Sequence, residues 1–279
     1  VPEGDTIFRA ARTLNKALAG KTITQFESAF PRLTRVHEDT PITGRVVESV
    51  AARGKWMEMH LSGGLVLVTH MLMNGSWHIY RPGEKWQRPQ RDMRVLLATD
   101  DFVAVALNIQ VAEFYRAAEL EKESPSRQIK EDFLAADFDE AEAFARLRAA
   151  PADMSVGEAL LKQTIVAGIG NVYKSEVAFA CRVHPFAKMG SVTDEQLRCM
   201  VATARKFMQA NVTESSPEGI VTYFGFRRTT GRANPADRLW VYGRAGKPCR
   251  RCGTRIESRK QGADARVTFW CPECQGLPA

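Results

Sequence analysis

The sequence predicts an α+β protein: a leading helix, a β-sandwich, a helical region and a small metal-holding tail. Three observations carry that expectation. Between Ile42 and Phe114, short runs rich in Val, Met and Leu alternate with turn signals. After a polar stretch at 119–130 (ELEKESPSRQIK), the strand signal gives way to apolar residues at helical spacing. The tail then holds four of the six cysteines as two Cys-x-x-Cys pairs. The expected divisions are residues 1–118, a linker at 119–130, a helical domain at 131–244 and a metal-binding tail at 245–279.

A chain of 279 residues can bury a sizeable core and hold two domains with an appendage. Hydrophobic residues make up 44% and charged residues 25%, as in ordinary globular proteins. No apolar run is long enough to span a membrane, and no signal-peptide pattern opens the chain. A cytosolic protein with no membrane partner is expected. The net charge of +7 and the pI near 9.2 suit a polyanionic partner.

The chain opens Val1-Pro2-Glu3-Gly4-Asp5-Thr6. If Val1 is the product of an alternative start codon and is removed, Pro2 carries a free secondary amine. An α-amine titrates near pH ~8, so it is nucleophilic at neutral pH, and its attack on an aldehyde carbon gives an iminium electron sink. Glu3 stands beside it as a proton donor or acceptor. Read alone, these residues are only a chain end. Ile7, Ala11, Leu14 and Leu18 then fall on one face of a helix that Gly20 stops.

Ser62-Gly63-Gly64 and Thr99-Asp100-Asp101 read as hairpin turns within the strand block, which favours an antiparallel sandwich. Gly54 permits a tight turn that leaves Lys55 at a strand end, where most lysines are simply solvated. The stretch from His70 to Gly75 (HMLMNG) ends a strand in a turn. Met73 there is either a core residue or an apolar wedge for a base stack.

Beyond the linker, Phe133, Leu134, Phe138, Phe144 and Leu147 fit helices, as do Val156 to Gln163, Val172 to Ala180 and Asp194 to Ala210. Gly168-Ile169-Gly170 gives a tight turn, with Asn171 as N-cap of the following helix and backbone amides available to phosphate. From Ser215 to Arg244 a long aperiodic segment carries Arg227, Arg228, Arg232, Arg238 and Arg244, and reads as a loop over a polyanion. Cys181 and Cys199 lie apart and are expected to be inert, buried thiols.

Cys249-x2-Cys252 and Cys271-x2-Cys274, eighteen residues apart, match a four-thiolate zinc site. Four protein ligands close the tetrahedron, so one structural Zn2+ is expected. Such metal binding is worth ~10–16 kcal/mol in comparable peptides, replacing a core that so short a segment lacks. Arg251, Arg255, Arg259, Lys260 and Arg266 surround the cysteines.

Pro2-Glu3-Gly4, Gly54-Lys55, Gly168-Ile169-Gly170-Asn171, Val241-Tyr242-Gly243-Arg244 and the stretch Arg266 to Gln275 (RVTFWCPECQ) recur in this order in one family. The chain resembles, end to end, the DNA glycosylases of the formamidopyrimidine-DNA glycosylase / endonuclease VIII family. The resemblance implies a two-layer β-sandwich, a helix–two-turn–helix domain and a β-hairpin zinc finger, with DNA in the cleft between. It implies a base-excision-repair enzyme that removes oxidised bases and cuts the abasic site by β/δ-elimination through a Pro2 Schiff base. Glu3 would protonate the ring oxygen of the sugar, and Lys55, counted with them as catalytic, would bind a phosphate near the lesion. Asn171 and Arg266 would clamp flanking phosphates, and Met73 would fill the gap left by the flipped base.

Pro2-Glu3-Gly4-Asp5 and the stretch Asn108 to Phe114 (NIQVAEF) are more similar to the endonuclease VIII branch, which favours oxidised pyrimidines; oxidised purines are the alternative. Gln110 and Ala112 stand where the other branch places an arginine and a phenylalanine beside its methionine. The expected partner is damaged DNA, duplex or bubble and single-stranded, met by a monomer in the bacterial cytosol at the nucleoid. A non-catalytic damaged-DNA-binding protein is the competing class, and the trio Pro2, Glu3 and Lys55 argues against it.

Overall fold

The computed structural model describes residues 2–213, 220, 222 and 238–276. Val1 and most of the arginine-rich segment, Arg227, Arg228 and Arg232 included, lie outside the described residues. The chain forms two compact bodies, one ending at Gln128 and the other beginning at Ile129.

The first body opens with helix α1 (Gly4–Leu18), which buries Ile7, Ala11, Leu14 and Leu18 on one face. Gly20, with φ +78°, turns the chain out of it. A short strand β1 (Gln25–Ser28) and helix α2 (Pro31–Asp39) follow. Neither was foreseen. The strand has four residues, and α2 buries only Leu33, so neither shows a period.

Seven more strands complete two antiparallel four-stranded sheets: β2 (Val47–Arg53), β3 (Trp56–Leu61), β4 (Leu65–His70), β5 (Ser76–Tyr80), β6 (Met93–Ala98), β7 (Val103–Leu107) and β8 (Val111–Arg116). One sheet runs β1-β6-β7-β5 and the other β2-β3-β4-β8. Met57, Met59, Leu61, Leu67, Val95, Leu97, Ala104 and Ala106 share one core with the apolar face of α1. Both expected hairpin turns are present, between Leu61 and Leu65 and between Ala98 and Val103. Gly54 has φ +57° in the two-residue loop that joins Arg53 to Trp56, a hairpin geometry that suits glycine.

The segment expected to be a linker is folded. Helix α3 (Ala117–Glu123) lays Leu120 on Val66 and Val68, on the outer face of the second sheet. Arg127 Nη2 lies 2.8 Å from the buried Glu58 carboxylate, which also accepts from the Ser126 hydroxyl. Burial alone would push Glu58 up, but hydrogen bonds from His60 and Ser126 and the Arg127 charge hold it below the usual carboxylate range.

The second body contains α4 (Glu140–Arg148), α5 (Val156–Leu161), α6 (Asn171–Ala180) and α7 (Asp194–Ala210) around Phe133, Leu147, Leu160, Ile169, Tyr173, Val177, Leu197 and Met200. Asp139 caps α4, and capping boxes start α5 (Ser155, Glu158) and α7 (Thr193, Gln196). A hairpin, β9 (Glu257–Gln261) with β10 (Arg266–Trp270), and a short helix α8 (Pro272–Gln275) end the described chain. Cys181, at the end of α6, is disulfide-bonded to Cys199 on α7, with Cα atoms 5.8 Å apart. This corrects the expectation of two inert thiols: packing α7 against α6 brings them within bridging range.

At the β4–β5 turn, a methyl group on Gly75 would meet Met71 O at 2.4 Å and Ile109 Cγ2 at 2.9 Å. Gly75→Ala should therefore cost about 1–3 kcal/mol in urea unfolding by overpacking. An unchanged midpoint would show that the turn yields freely.

Candidate active site and metal centre

The head of α1 holds the first group of candidate residues. Glu3 is its N-cap residue and is fully buried, with Pro2 half-buried immediately before it. Asp5, in the first turn, is also fully buried. Burial raises its carboxyl from 3.8 to about 6; the Arg9 guanidinium, 3.2 Å from Oδ2, opposes the rise and the Glu3 carboxyl adds to it. Sequence reading passed over Asp5, because an acid in the first turn of a helix is ordinary. Only burial makes it unusual.

Lys55 lies half-buried in the β2–β3 turn. Its charge reaches His70, the last residue of β4, whose pKa falls to about 4, chiefly through burial and then through Lys55. The neutral His70 ring packs edge-on against Trp56 with centroids 4.6 Å apart, and its Nδ1 accepts the Leu72 N–H at 2.9 Å. The turn bearing Lys55 and the turn bearing Met73 thus share one histidine.

Met73 is 46% exposed, so its core reading is overturned. It borders a cavity of about 650 Å³ also lined by Arg88, Arg94, Asn108 and Gln110. Gln110 therefore lines the same cavity as Met73. Ala112 does not, because it is buried in the sandwich core opposite Thr69. Strand alternation turns it inward.

In the second body, Gly168 takes φ +95°, and the Gln163 side chain clips this turn by bonding Gly168 N, Leu161 O and Ile169 O. The expected cap of α6 is corrected: Gly170 is the N-cap and Asn171 the first helical residue. Freed from capping, the Asn171 Nδ2 donates to Val267 O at 2.8 Å. That residue follows Arg266 at the start of β10, so the two proposed phosphate ligands are brought together. Arg266 is partly exposed, with Nε 3.8 Å from the exposed Asp264 carboxylate.

The buried face of α6 continues this attachment. Lys174 donates from Nζ to the Thr268 hydroxyl, which bonds Gln261 Oε1, and Gln261 Nε2 reaches Ser155 Oγ and Pro185 O. The Glu176 carboxylate accepts the backbone N–H groups of Trp240, Val241 and Tyr242 and the Thr222 hydroxyl. Neither residue was singled out from sequence, since a Lys and a Glu in a helix read as a solvated face. Arg244 bonds Trp240 O and Pro248 O, so it holds the approach to the first knuckle.

Cys249, Cys252, Cys271 and Cys274 place their sulfurs within 4.8 Å of one another, with Cys249–Cys274 at 3.9 Å and Cys252–Cys271 at 3.5 Å. Zn–S bonds of ~2.3 Å in a tetrahedron require S···S separations of ~3.8 Å. The donors fit one zinc ion. Burial and the neighbouring sulfurs push the Cys274 thiol up, burial raises Cys271, and a Thr254 hydrogen bond lowers Cys252 to about 6. Four thiols this close ionise together only around a cation. With four protein ligands the metal serves structure: it cross-links the two knuckles.

A β-sandwich headed by a buried acid, a helical body with a glycine turn and a four-thiolate hairpin together define a class of DNA-processing proteins. Three domains match in chain order: the formamidopyrimidine-DNA glycosylase N-terminal domain over residues 1–110, its H2TH domain over 129–220, and the zinc finger found in FPG and IleRS over 246–276. The chain is 39% identical to "Probable endonuclease 8 2" of Streptomyces coelicolor, covering all of this chain and 95% of that protein. It is 36% identical to a DNA-(apurinic or apyrimidinic site) lyase of Mycolicibacterium smegmatis, covering 99% of each. A formamidopyrimidine-DNA glycosylase of Heliobacterium modesticaldum is 28% identical over 99% of each chain. The Lactococcus lactis formamidopyrimidine-DNA glycosylase, solved with abasic-site DNA, shares the fold with TM-score 0.81 and 22% identity, over 99% of this chain and 100% of its own. The protein belongs to the formamidopyrimidine-DNA glycosylase / endonuclease VIII family.

Two outcomes test this geometry. Because Asp5 is raised from 3.8 to about 6, its protonated form stabilises the fold at low pH, and this contribution is lost as pH rises through 6. Asp5→Asn should then gain roughly 2–3 kcal/mol over wild type at pH 7.5 and little at pH 4, read by urea unfolding. An equal difference at both pH values would refute the assignment. Chelation should release zinc and expose residues 246–276 to trypsin at Arg255 and Arg259, leaving residues 2–128 resistant. A protease pattern unchanged after metal loss would contradict the structural role.

Proposed function

We propose that this protein is a bifunctional DNA glycosylase and abasic-site lyase that works through the amine of Pro2, freed by removal of Val1. The observation that carries the reading is the head of α1, where a fully buried Glu3 is fixed beside Pro2. Pro2 nitrogen attacks C1′ of the damaged nucleotide and Glu3 delivers a proton to the ring oxygen. The glycosidic C–N bond breaks, the base leaves, and an iminium joins C1′ to Pro2. The iminium acidifies the C2′ proton; its loss expels the 3′ phosphate, and a further elimination expels the 5′ phosphate.

Lys55 binds a phosphate near the lesion, while Asn171 and Arg266, held together on α6 and β10, take the flanking phosphates. Met73 occupies the gap left by the flipped base, which its exposure supports. The zinc holds the hairpin that carries Arg266. Oxidised pyrimidines are the favoured lesion class. Two observations support this: identities of 35–39% to relatives named endonuclease 8 or abasic-site lyase, against 28–31% to those named formamidopyrimidine-DNA glycosylase, and the withdrawal of Ala112 into the core. The enzyme acts as a monomer in the bacterial cytosol, at the nucleoid.

The test is borohydride trapping on an oligonucleotide with one abasic site, beside the intact mass of the protein. Chain lacking Val1 should give a reduced covalent adduct, and Pro2→Gly carrying an added leading residue should give none. Absence of adduct from processed chain would leave a DNA-binding protein without this chemistry.

A further inference from the structure

A line of hydrogen-bonding side chains crosses the second body, and every link runs in one direction. Lys174 of α6 donates to the Thr268 hydroxyl on β10, which donates to Gln261 Oε1 on β9 at 2.8 Å. Gln261 Nε2 donates to Ser155 Oγ at 2.8 Å, and that hydroxyl donates to the Glu158 carboxylate in the first turn of α5. An ammonium only donates and a carboxylate only accepts, so the two ends fix the orientation of each group between them. Gln261 is the middle link, and its Nε2 also reaches Pro185 O at 2.7 Å. Its carboxamide lies directly on the backbone of α5, where a Cβ on Gly157 would meet Oε1 at 2.3 Å. Gly157 is thus the floor of a socket, with Ser155, Pro185 and Thr268 around it.

The place of Gln261 in the hairpin says what the socket holds. In the β9–β10 register Gln261 is paired with Arg266, the residue proposed to take a flanking phosphate. Directly paired residues of an antiparallel ladder project to the same face, and so do alternate residues of one strand. Arg266, Gln261 and Thr268 therefore share one face of the hairpin, with Gln261 and Thr268 buried against the helices and Arg266 partly exposed at the rim. An arginine gives up much side-chain freedom in any fixed contact, so its grip on a phosphate depends on a root that does not move. We propose that Gln261 is the positioning residue for Arg266: seated on Gly157, it holds the strand opposite so that the guanidinium stays at the DNA phosphate. The inference rests on the proposed role of Arg266 and assigns the residue through which the helical body supports it.

The test measures binding of the zinc-loaded full chain to a duplex carrying a tetrahydrofuran abasic analogue, which keeps the chemistry out of the readout. Two variants displace the carboxamide from opposite sides. Gln261→Met keeps the length of the side chain without its polar atoms, and the methyl group of Gly157→Ala takes its seat. Gly157 is helical, so alanine suits its backbone, and this variant should keep the zinc content and melting temperature of wild type. Each variant should weaken Kd roughly 10-fold and reduce the salt slope by about one, the mark of one lost phosphate contact. Added to Arg266→Ala, each should change Kd by less than about 2-fold, because the group it acts through is gone. Wild-type affinity in either folded variant would overturn the inference while leaving Arg266 its phosphate. So would an equal loss with and without Arg266, since the socket would then serve the docking of the hairpin as a whole. Wild-type binding by Arg266→Ala alone would instead strike the phosphate role of Arg266, and the inference with it.

Discussion

The Glu176 carboxylate, fully buried in α6, accepts hydrogen bonds from three successive backbone N–H groups, those of Trp240, Val241 and Tyr242, and from the Thr222 hydroxyl. A charge removed from water persists only where its lone pairs are met, and charge-assisted bonds to backbone amides meet them well. One side chain thereby fixes the path of the chain as it enters the first zinc knuckle. From the same helix, Asn171 reaches Val267, Lys174 reaches Thr268, and the Ser175 hydroxyl meets the Phe269 N–H. The hairpin strand β10 is thus bonded to α6 along most of its length. The zinc ion closes the far end of this arrangement, and the helix sets the near end.

The first body solves a different problem. Its candidate groups stand at the ends of elements whose interiors are packed: the head of α1, the β2–β3 turn, the β4–β5 turn and the approach to β8. The sandwich core is shared by α1 and both sheets, so these ends are held by burial on the other side. His70 relates two of them. Its neutral ring, depressed by burial and by Lys55, can accept the Leu72 N–H because Nδ1 carries no proton. At the head of α1, burial of two neighbouring acids, Glu3 and Asp5, means that negative charge on one disfavours charge on the other. A proton is therefore retained close to Pro2 at pH values where a solvated aspartate would have released it.

Features set by local chemistry were legible in the sequence. The cysteine spacing identified the metal ligands, glycine and Asp-Asp pairs marked hairpin turns, and the Asp194–Ala210 helix followed from its period. What depended on distant packing was not. Asn171 looked like an N-cap because asparagine suits that position, yet Gly170 takes it and the amide serves β10. Ala112 and Gln110 looked equivalent two residues apart, but one faces the core and the other the cavity. Asp5, Lys174 and Glu176 carry charges that sequence assigns to solvent, and only the fold reveals that each is enclosed. The pairing of Cys181 with Cys199 required knowing that α7 returns alongside α6.

The zinc finger shares its apolar centre with the helical body. Cys249, Ile256 and Cys271 pack on Phe179 and Val241, Arg251 lies over the Phe179 ring at 4.3 Å, and Gln275 donates to Val183 O. Metal ligation closes the loop, yet the surface that loop covers belongs to a helix nearly a hundred residues earlier. In this chain the finger therefore relies on the helical body for the floor beneath it. Cut out and joined to another protein, it would keep its ligands and lose the floor on which its arginine-bearing strand is laid.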